Sequence, residues 1–202
     1  MLAKQFQNNL LECGTDEAGR GCLAGPVTAA AVILHENFAN EALKDSKLMS
    51  LKNRDKLREL ILSEAISVKF CHVMMEEIDE INILNASILA MQRSIQQLQP
   101  KPEFILVDGN RFKAFDNIPF QCIVKGDNKF LSIAAASVIA KTERDAFMQR
   151  IHEEYPMYKW NKNKGYPTKE HRDAIREHGI TKYHRRSFRL LPEQLSLFPE
   201  NK

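Results

Sequence analysis

The sequence predicts an α/β domain on a mixed five-stranded sheet flanked by helices, with a basic, helical C-terminal extension. Two observations carry this expectation: short apolar runs alternate with segments of helical periodicity, and the first two runs stand too close together for a crossover helix. That first pair is therefore antiparallel and the sheet mixed. The chain has 202 residues, 44% of them hydrophobic and 27% charged. This composition excludes a disordered or fibrous chain. The longest apolar stretch, Leu131 to Ala140, is too short to span a bilayer, and Met1 to Leu10 has no secretory pattern. Cys13, Cys22, Cys71 and Cys122 form no CxxC pair, so they read as reduced thiols in a cytoplasmic protein without a zinc site.

The elements follow in order. Leu10 to Thr15 and Val27 to Leu34 read as strands on either side of a glycine-rich turn, Gly19 to Pro26. Ser50 is a plausible N-cap for a helix to about Ala65, with Leu57, Leu60 and Ile61 on its buried face. Ile66 to Val73 is a third strand. Ile81, Leu84, Ile88, Met91, Ile95 and Leu98 keep a helical spacing until Pro100. Phe104 to Val107 and Gln121 to Val124 complete the sheet. Phe130 to about Glu154 is a long helix whose Ala134, Ala135, Ala136 and Ser137 allow close packing, and Lys169 to His178 is a further helix. The expected division is a domain over 1–155, the extension over 156–191 and a loose tail over 192–202.

Charge is unevenly spread. Residues 1–100 hold 10 Lys and Arg against 13 Asp and Glu, whereas Lys159 to Arg189 hold 10 against 3. Such a segment suits a polyanion, although a solvated helical face would look the same. Acids, meanwhile, stand at three strand ends: Asp16 and Glu17, Asp108, and Asp127. Each alone fits turn chemistry. On adjacent strand ends, four oxygen-bearing groups without Cys or His suit Mg²⁺ or Mn²⁺. With a basic surface nearby, they point to metal-assisted phosphoryl transfer on nucleic acid.

Gly14-Thr15-Asp16-Glu17-Ala18-Gly19-Arg20-Gly21 resembles the DEAGRG signature of ribonuclease HII. The resemblance continues through Asp45-Ser46-Lys47, Val107-Asp108-Gly109-Asn110 and Lys125-Gly126-Asp127. Further on it takes in Ala134 to Ser137 with Ala140-Lys141, Lys164 to Thr168, and His184-Arg185-Arg186-Ser187-Phe188. It covers roughly Cys13 to Arg189 in the family's order and looks bacterial. Cys22 stands where the family usually has proline, and Leu48 where a polar or basic residue is common.

The resemblance implies a ribonuclease H-like fold and hydrolysis of the RNA strand of RNA–DNA hybrids, including single ribonucleotides embedded in duplex DNA. It implies that Asp16, Glu17, Asp108 and Asp127 hold two Mg²⁺ or Mn²⁺ ions, with Asp16 bridging. Products would carry 5′-phosphate and 3′-hydroxyl ends. Asp145 competes for the fourth position but reads better as part of an ion pair. Gly19, Arg20 and Gly21 would bring backbone groups to the 2′-hydroxyl, which both donates and accepts. Tyr166 would pack on the junction sugar, and Lys47, Lys141, Lys164, Arg185 and Arg186 would contact phosphates. The expected molecule is a monomer. Two other readings remain: a catalytically silent nucleic-acid-binding domain, and a nuclease of the same fold for junctions or uniform hybrids. Beyond Pro192, Gln194-Leu195-Ser196-Leu197-Phe198 is similar to the short peptide by which bacterial repair proteins dock on the sliding clamp, with Gln194, Leu195, Leu197 and Phe198 as contacts. A C-terminus covering its own apolar patch is the alternative.

Overall fold

A computed structural model of the chain describes residues 2–7, 9–39, 43 and 51–193. Ser50, Lys47, Leu48 and the Gln194–Phe198 peptide lie outside the described residues. The elements are β1 (Glu12–Ala18), β2 (Val27–Leu34), α1 (Leu51–Glu64), β3 (Ala65–Val73), α2 (Met75–Gln96), β4 (Phe104–Asp108), β5 (Phe120–Ile123), α3 (Leu131–Glu154), α4 (Trp160–Asn163) and α5 (Lys169–His178). The sheet order is β3-β2-β1-β4-β5. β1 pairs antiparallel with β2, β2 antiparallel with β3, and β4 runs parallel to both β1 and β5. The sheet is mixed, as expected.

β2 is buried along nearly its whole length because both faces of the sheet are covered. Ala30 and Val32 pack toward Leu57 and Ile61 of α1 and the alanines of α3. Ala29, Ala31 and Ile33 face the opposite way, onto Ile78, Ala86, Ala90, Met91 and Ile95 of α2. That period of two makes each strand a partition between two helical layers. A further apolar cluster joins Leu23 and Ala24 to Phe147, Met148 and Ile151 of α3, and to Tyr158, Trp160, Ala174 and Ile175. Through it the C-terminal helices pack on the glycine-rich turn.

Two elements differ from the sequence expectation. β1 runs on to Ala18, so Asp16 and Glu17 lie within it, opposite Ala30 and Ala29 of β2. Apolar content alone ended the strand at Thr15, whereas pairing with β2 carries it further. α2 begins at Met75, six residues before the periodic apolar stripe. Asn82 interrupts it with φ 65°, and its side-chain oxygen accepts from the backbone N–H groups of Leu84 (3.1 Å) and Asn85 (3.2 Å). Asn82 thereby caps the second segment and kinks the helix.

α3 crosses β1 at Gly14. A Cβ there would stand 2.2 Å from the Ser132 carbonyl carbon and 2.3 Å from the Ile133 nitrogen, both backbone atoms that cannot move aside. Gly14→Ala should lower unfolding free energy by about 3 kcal/mol or more, read from urea denaturation, because the helix must shift to admit the methyl group.

Candidate active site

The register brings the acids together. Thr15 stands beside Val107 in the parallel β1–β4 pair, so Asp16 and Asp108 come alongside one another at the sheet's end. β5 stops at Ile123, opposite Asp108, and the chain turns through Lys125 in the left-handed region (φ 56°) into a short 3-10 turn over Gly126–Asn128. The Gly126 N–H donates to Asp108 Oδ1 at 2.6 Å, seating the buried Asp127 beside Asp108. Within β1, successive side chains point to opposite faces. Asp16, 6% exposed, accepts from the Ser137 hydroxyl of α3. Glu17 opens instead into a cleft of about 180 Å³ shared with Asp108, Arg20, Ser87, Met91 and Arg111. The acids straddle the sheet's end.

Burial pushes the Asp16 carboxyl well above its ordinary range, and the negative charges of Glu17 and Asp108 add to the rise. The Ser137 hydroxyl and the Glu17 N–H (2.7 Å) offset part of it. Burial also raises Glu17; Arg20, 3.1 Å away, counters it, and Asp108 adds to it. Mutually repelling carboxylates in a poorly solvated cleft are a mark of functional sites. As they lie, no three His, Cys, Asp or Glu residues among those described form a group that could hold a metal ion. The donor chemistry, carboxylate oxygen throughout, nevertheless fits a hard divalent cation, whose charge would relieve the repulsion.

Next to the acids, two buried arginines hold the glycine-rich turn. Arg185 donates to the carbonyls of Gly19 (2.7 Å), Arg20 (2.9 Å) and Gly25 (3.0 Å). Arg144, from α3, donates to Ala24 (3.1 Å), Pro26 (3.0 Å) and Lys164 (2.8 Å). Gly19 has φ 95°, and a Cβ on it would fall 2.0 Å from Arg144 Nε. A Cβ at Gly21, by contrast, would meet nothing within 4 Å. This corrects one expectation: Arg185 is 0% exposed and occupied with backbone carbonyls, so it is a support of the turn and not a phosphate contact. Burial, with Arg144 close by, pushes it down to about 10.

Arg186, the next residue, is exposed, and its backbone N–H donates to Asp79 of α2 at 2.9 Å. Tyr166 is 46% exposed, and its hydroxyl meets the buried Cys22 thiol. The Leu23 N–H donates to the Gly165 carbonyl at 2.8 Å, which lays the Tyr166 segment against the turn. Lys164 is half-buried with its ammonium lowered by burial. Asp145 pairs with Arg54 (3.6 Å) and Lys141 (3.8 Å). Its place is an ion-pair network, in keeping with the structural reading of it.

Arg144 and Asp79 escaped sequence reasoning. Arg144 had a signal: it continues the Ala136, Ala140, Met148 line at intervals of four, so its position on α3 faces the core. Asp79 left no such trace.

Solved structures that share this fold include ribonucleases of the H2 and HIII type. The archaeal ribonuclease HII of Archaeoglobus fulgidus, solved in complex with PCNA, matches with TM-score 0.76 and 27% identity, covering 94% of this chain and 100% of that one. A ribonuclease HIII solved with Mn²⁺ shares the fold at TM-score 0.69 and 15% identity, over 89% of this chain and 67% of that one. The ribonuclease HII family model matches residues 13–191. The ribonuclease HII of Christiangramia forsetii is 62% identical over 192 residues, 95% of this chain and 97% of that protein. The chain belongs to the ribonuclease HII family. It is an endoribonuclease for the RNA strand of RNA–DNA hybrids. No helix among the described residues is long and apolar enough to cross a membrane.

Two expectations follow from this geometry. Arg185→Met should cost about 3 kcal/mol or more in urea denaturation, because three carbonyls, two of them in buried bonds, lose their donor, whereas Arg186→Met should stay within about 0.5 kcal/mol. For Asp16, the folded chain holds a proton above the ordinary 3.8 that the unfolded chain has lost. Its contribution to stability is therefore full below that value and declines as pH rises through the raised one. With chelator present, Asp16→Asn should be more stable than the native chain at pH 8, and denaturation curves should show that gain shrinking at pH 4.

Proposed function

We propose that the enzyme cleaves at ribonucleotides embedded in duplex DNA as well as in longer hybrids, leaving 5′-phosphate and 3′-hydroxyl ends. The observation that carries this reading is the junction of two features: acids concentrated at the end of β1 and β4, and a backbone-rich turn starting one residue after β1. Asp16, Glu17, Asp108 and Asp127 would hold divalent cations, Mg²⁺ or Mn²⁺. Two such ions supply Lewis-acid chemistry, activating water and stabilising the leaving oxygen. Dependence on a divalent metal is a property of the family; the choice of ion and the pairing of two are part of this proposal.

The chain's own residues bind and orient. Arg185 holds the Gly19 and Arg20 carbonyls and Arg144 those of Ala24 and Pro26, and the open side of the turn at Gly21 leaves room for a sugar to approach. Peptide N–H and C=O groups there can address both functions of a 2′-hydroxyl. Tyr166, exposed beside the same turn, would stack on the junction sugar. Lys141, Lys164 and Arg186, with Lys47, would meet phosphates and set register. Glu17 and Asp108, opening into the cleft, face the bond to be cut.

The Gln194–Phe198 peptide would dock on the bacterial sliding clamp, with Leu197 and Phe198 entering an apolar pocket and Gln194 and Leu195 flanking them. An archaeal relative solved with PCNA supports such a partnership.

A duplex with one ribonucleotide tests the reading. Cleavage should require Mg²⁺ or Mn²⁺ and stop with chelator. Asp16→Asn should reduce it about 100-fold or more while duplex binding persists. Tyr166→Ala should lose about tenfold at the single ribonucleotide and less on a uniform hybrid, since stacking is worth roughly 1–3 kcal/mol. For the tail, clamp binding by the intact chain should vanish in a Leu197→Ala, Phe198→Ala double variant, measured by calorimetry.

A further inference from the structure

Two histidines in the C-terminal part have no role in the chemistry above. His171 and His184 are buried, at 0% and 1% exposure, among Tyr158 and Trp160. Their hydrogen bonds decide where each proton sits. The Thr181 backbone N–H points at His184 Nδ1 from 2.9 Å, so that nitrogen accepts. A neutral His184 then carries its proton on Nε2, which lies 3.3 Å from His171 Nε2. The Trp160 indole N–H reaches the same His171 nitrogen at 3.0 Å. An indole only donates, so His171 Nε2 also accepts. The His171 proton is left on Nδ1, 3.0 Å from the Tyr166 carbonyl, which only accepts. A proton added to either ring would set N–H against N–H. Burial lowers both imidazoles, His184 to about 3.

The pair also connects two pieces of the site. His184 bridges backbone to backbone with Ala24 in the glycine-rich turn, and the Gly25 N–H donates to the Tyr183 carbonyl at 2.9 Å. His171 holds the peptide of Tyr166. The backbone on either side of His184 is hydrogen-bonded to the turn, and from the His184 ring the contacts run through His171 to the Tyr166 carbonyl.

We propose that His171 and His184 form a neutral pair of fixed tautomers that positions Tyr166 against the Gly19–Gly25 turn, and that discrimination at the ribose junction depends on it. They are positioning residues, and this role rests on the reading of Tyr166 given under Proposed function. Packing alone would need only their volume. Positioning needs the donor at His171 Nδ1.

Two measurements judge the proposal. Long-range proton–nitrogen spectra of the native chain between about pH 5.5 and 8 should show both rings neutral, His171 protonated at Nδ1 and His184 at Nε2. A charged ring in that range, or the opposite tautomers, would overturn it. The second is a double-mutant cycle on the single-ribonucleotide duplex. His171→Phe keeps the bulk and removes the donor, and should lower kcat about tenfold, while His171→Asn, which keeps a donor near Nδ1, should retain most of it. In a Tyr166→Ala background, His171→Phe should cost less than about twofold. Equal losses in both backgrounds, or equal losses for Phe and Asn, would reduce the pair to packing and overturn the proposal. If Tyr166→Ala alone leaves junction cleavage unchanged, the reading of Tyr166 falls and the positioning role with it; the proton assignment is still decided by the spectra. Those spectra need no variant, so the proposal stays falsifiable even if His171→Phe fails to fold.

Discussion

Placing two guanidinium groups inside the protein, with backbone carbonyls as their hydrogen-bond acceptors, is the constraint on which the site depends. Arg144 and Arg185 together engage six carbonyls, five from the Gly19–Pro26 turn and one from Lys164. Both sides need the arrangement. An irregular turn has carbonyls with no ladder partner, and a buried guanidinium needs every donor of its planar fork engaged. The result is rigid because α3 also carries Ser137, which donates to Asp16. One helix therefore sets the acids and the turn relative to each other. The two charges also lie behind the surface offered to a polyanion, where solvent screens them little.

The acid end of the sheet works in the opposite direction. Strand geometry sends Asp16 toward α3 and Glu17 toward the α2 cleft, with Asp108 alongside, so negative charge gathers where few waters can dilute it. Such a cluster opposes folding by itself and becomes favourable when a cation or a reaction needs it. The rest of the fold holds the acids in place against their repulsion: β1 and β2 are fully paired at that end, and Gly14 lets α3 press on the strand directly below Asp16.

Local pattern was legible where local physics decides. Val27–Leu34 has the limits its apolar run suggests, and the helix expected around Lys169 to His178 forms there, capped by Thr168, whose hydroxyl accepts from the His171 N–H at 3.2 Å. Elsewhere a neighbour intervened. β1 outlasts its apolar run because β2 pairs with it, and α2 starts early because Asn82 restarts the helix instead of beginning it. The acids were legible as strand-end residues that only a common destination explains. That Asp16 and Glu17 face opposite sides of the sheet was not, since their strand appeared to have ended.

Arg185 and Arg186 mark the boundary most clearly. They are adjacent and alike in sequence, yet one is wholly buried against the turn and the other is exposed to solvent. By itself the sequence determined the α/β class, the mixed sheet, the family motifs and the carboxylates, because periodicity, turn chemistry and residue type are properties of short stretches of chain. Only the tertiary structure decided which basic side chains are buried supports and which stay exposed, and that His171 and His184 are buried side by side. Those outcomes depend on desolvation and on acceptors brought from far along the chain, such as the Gly19 carbonyl beneath Arg185, 166 residues away.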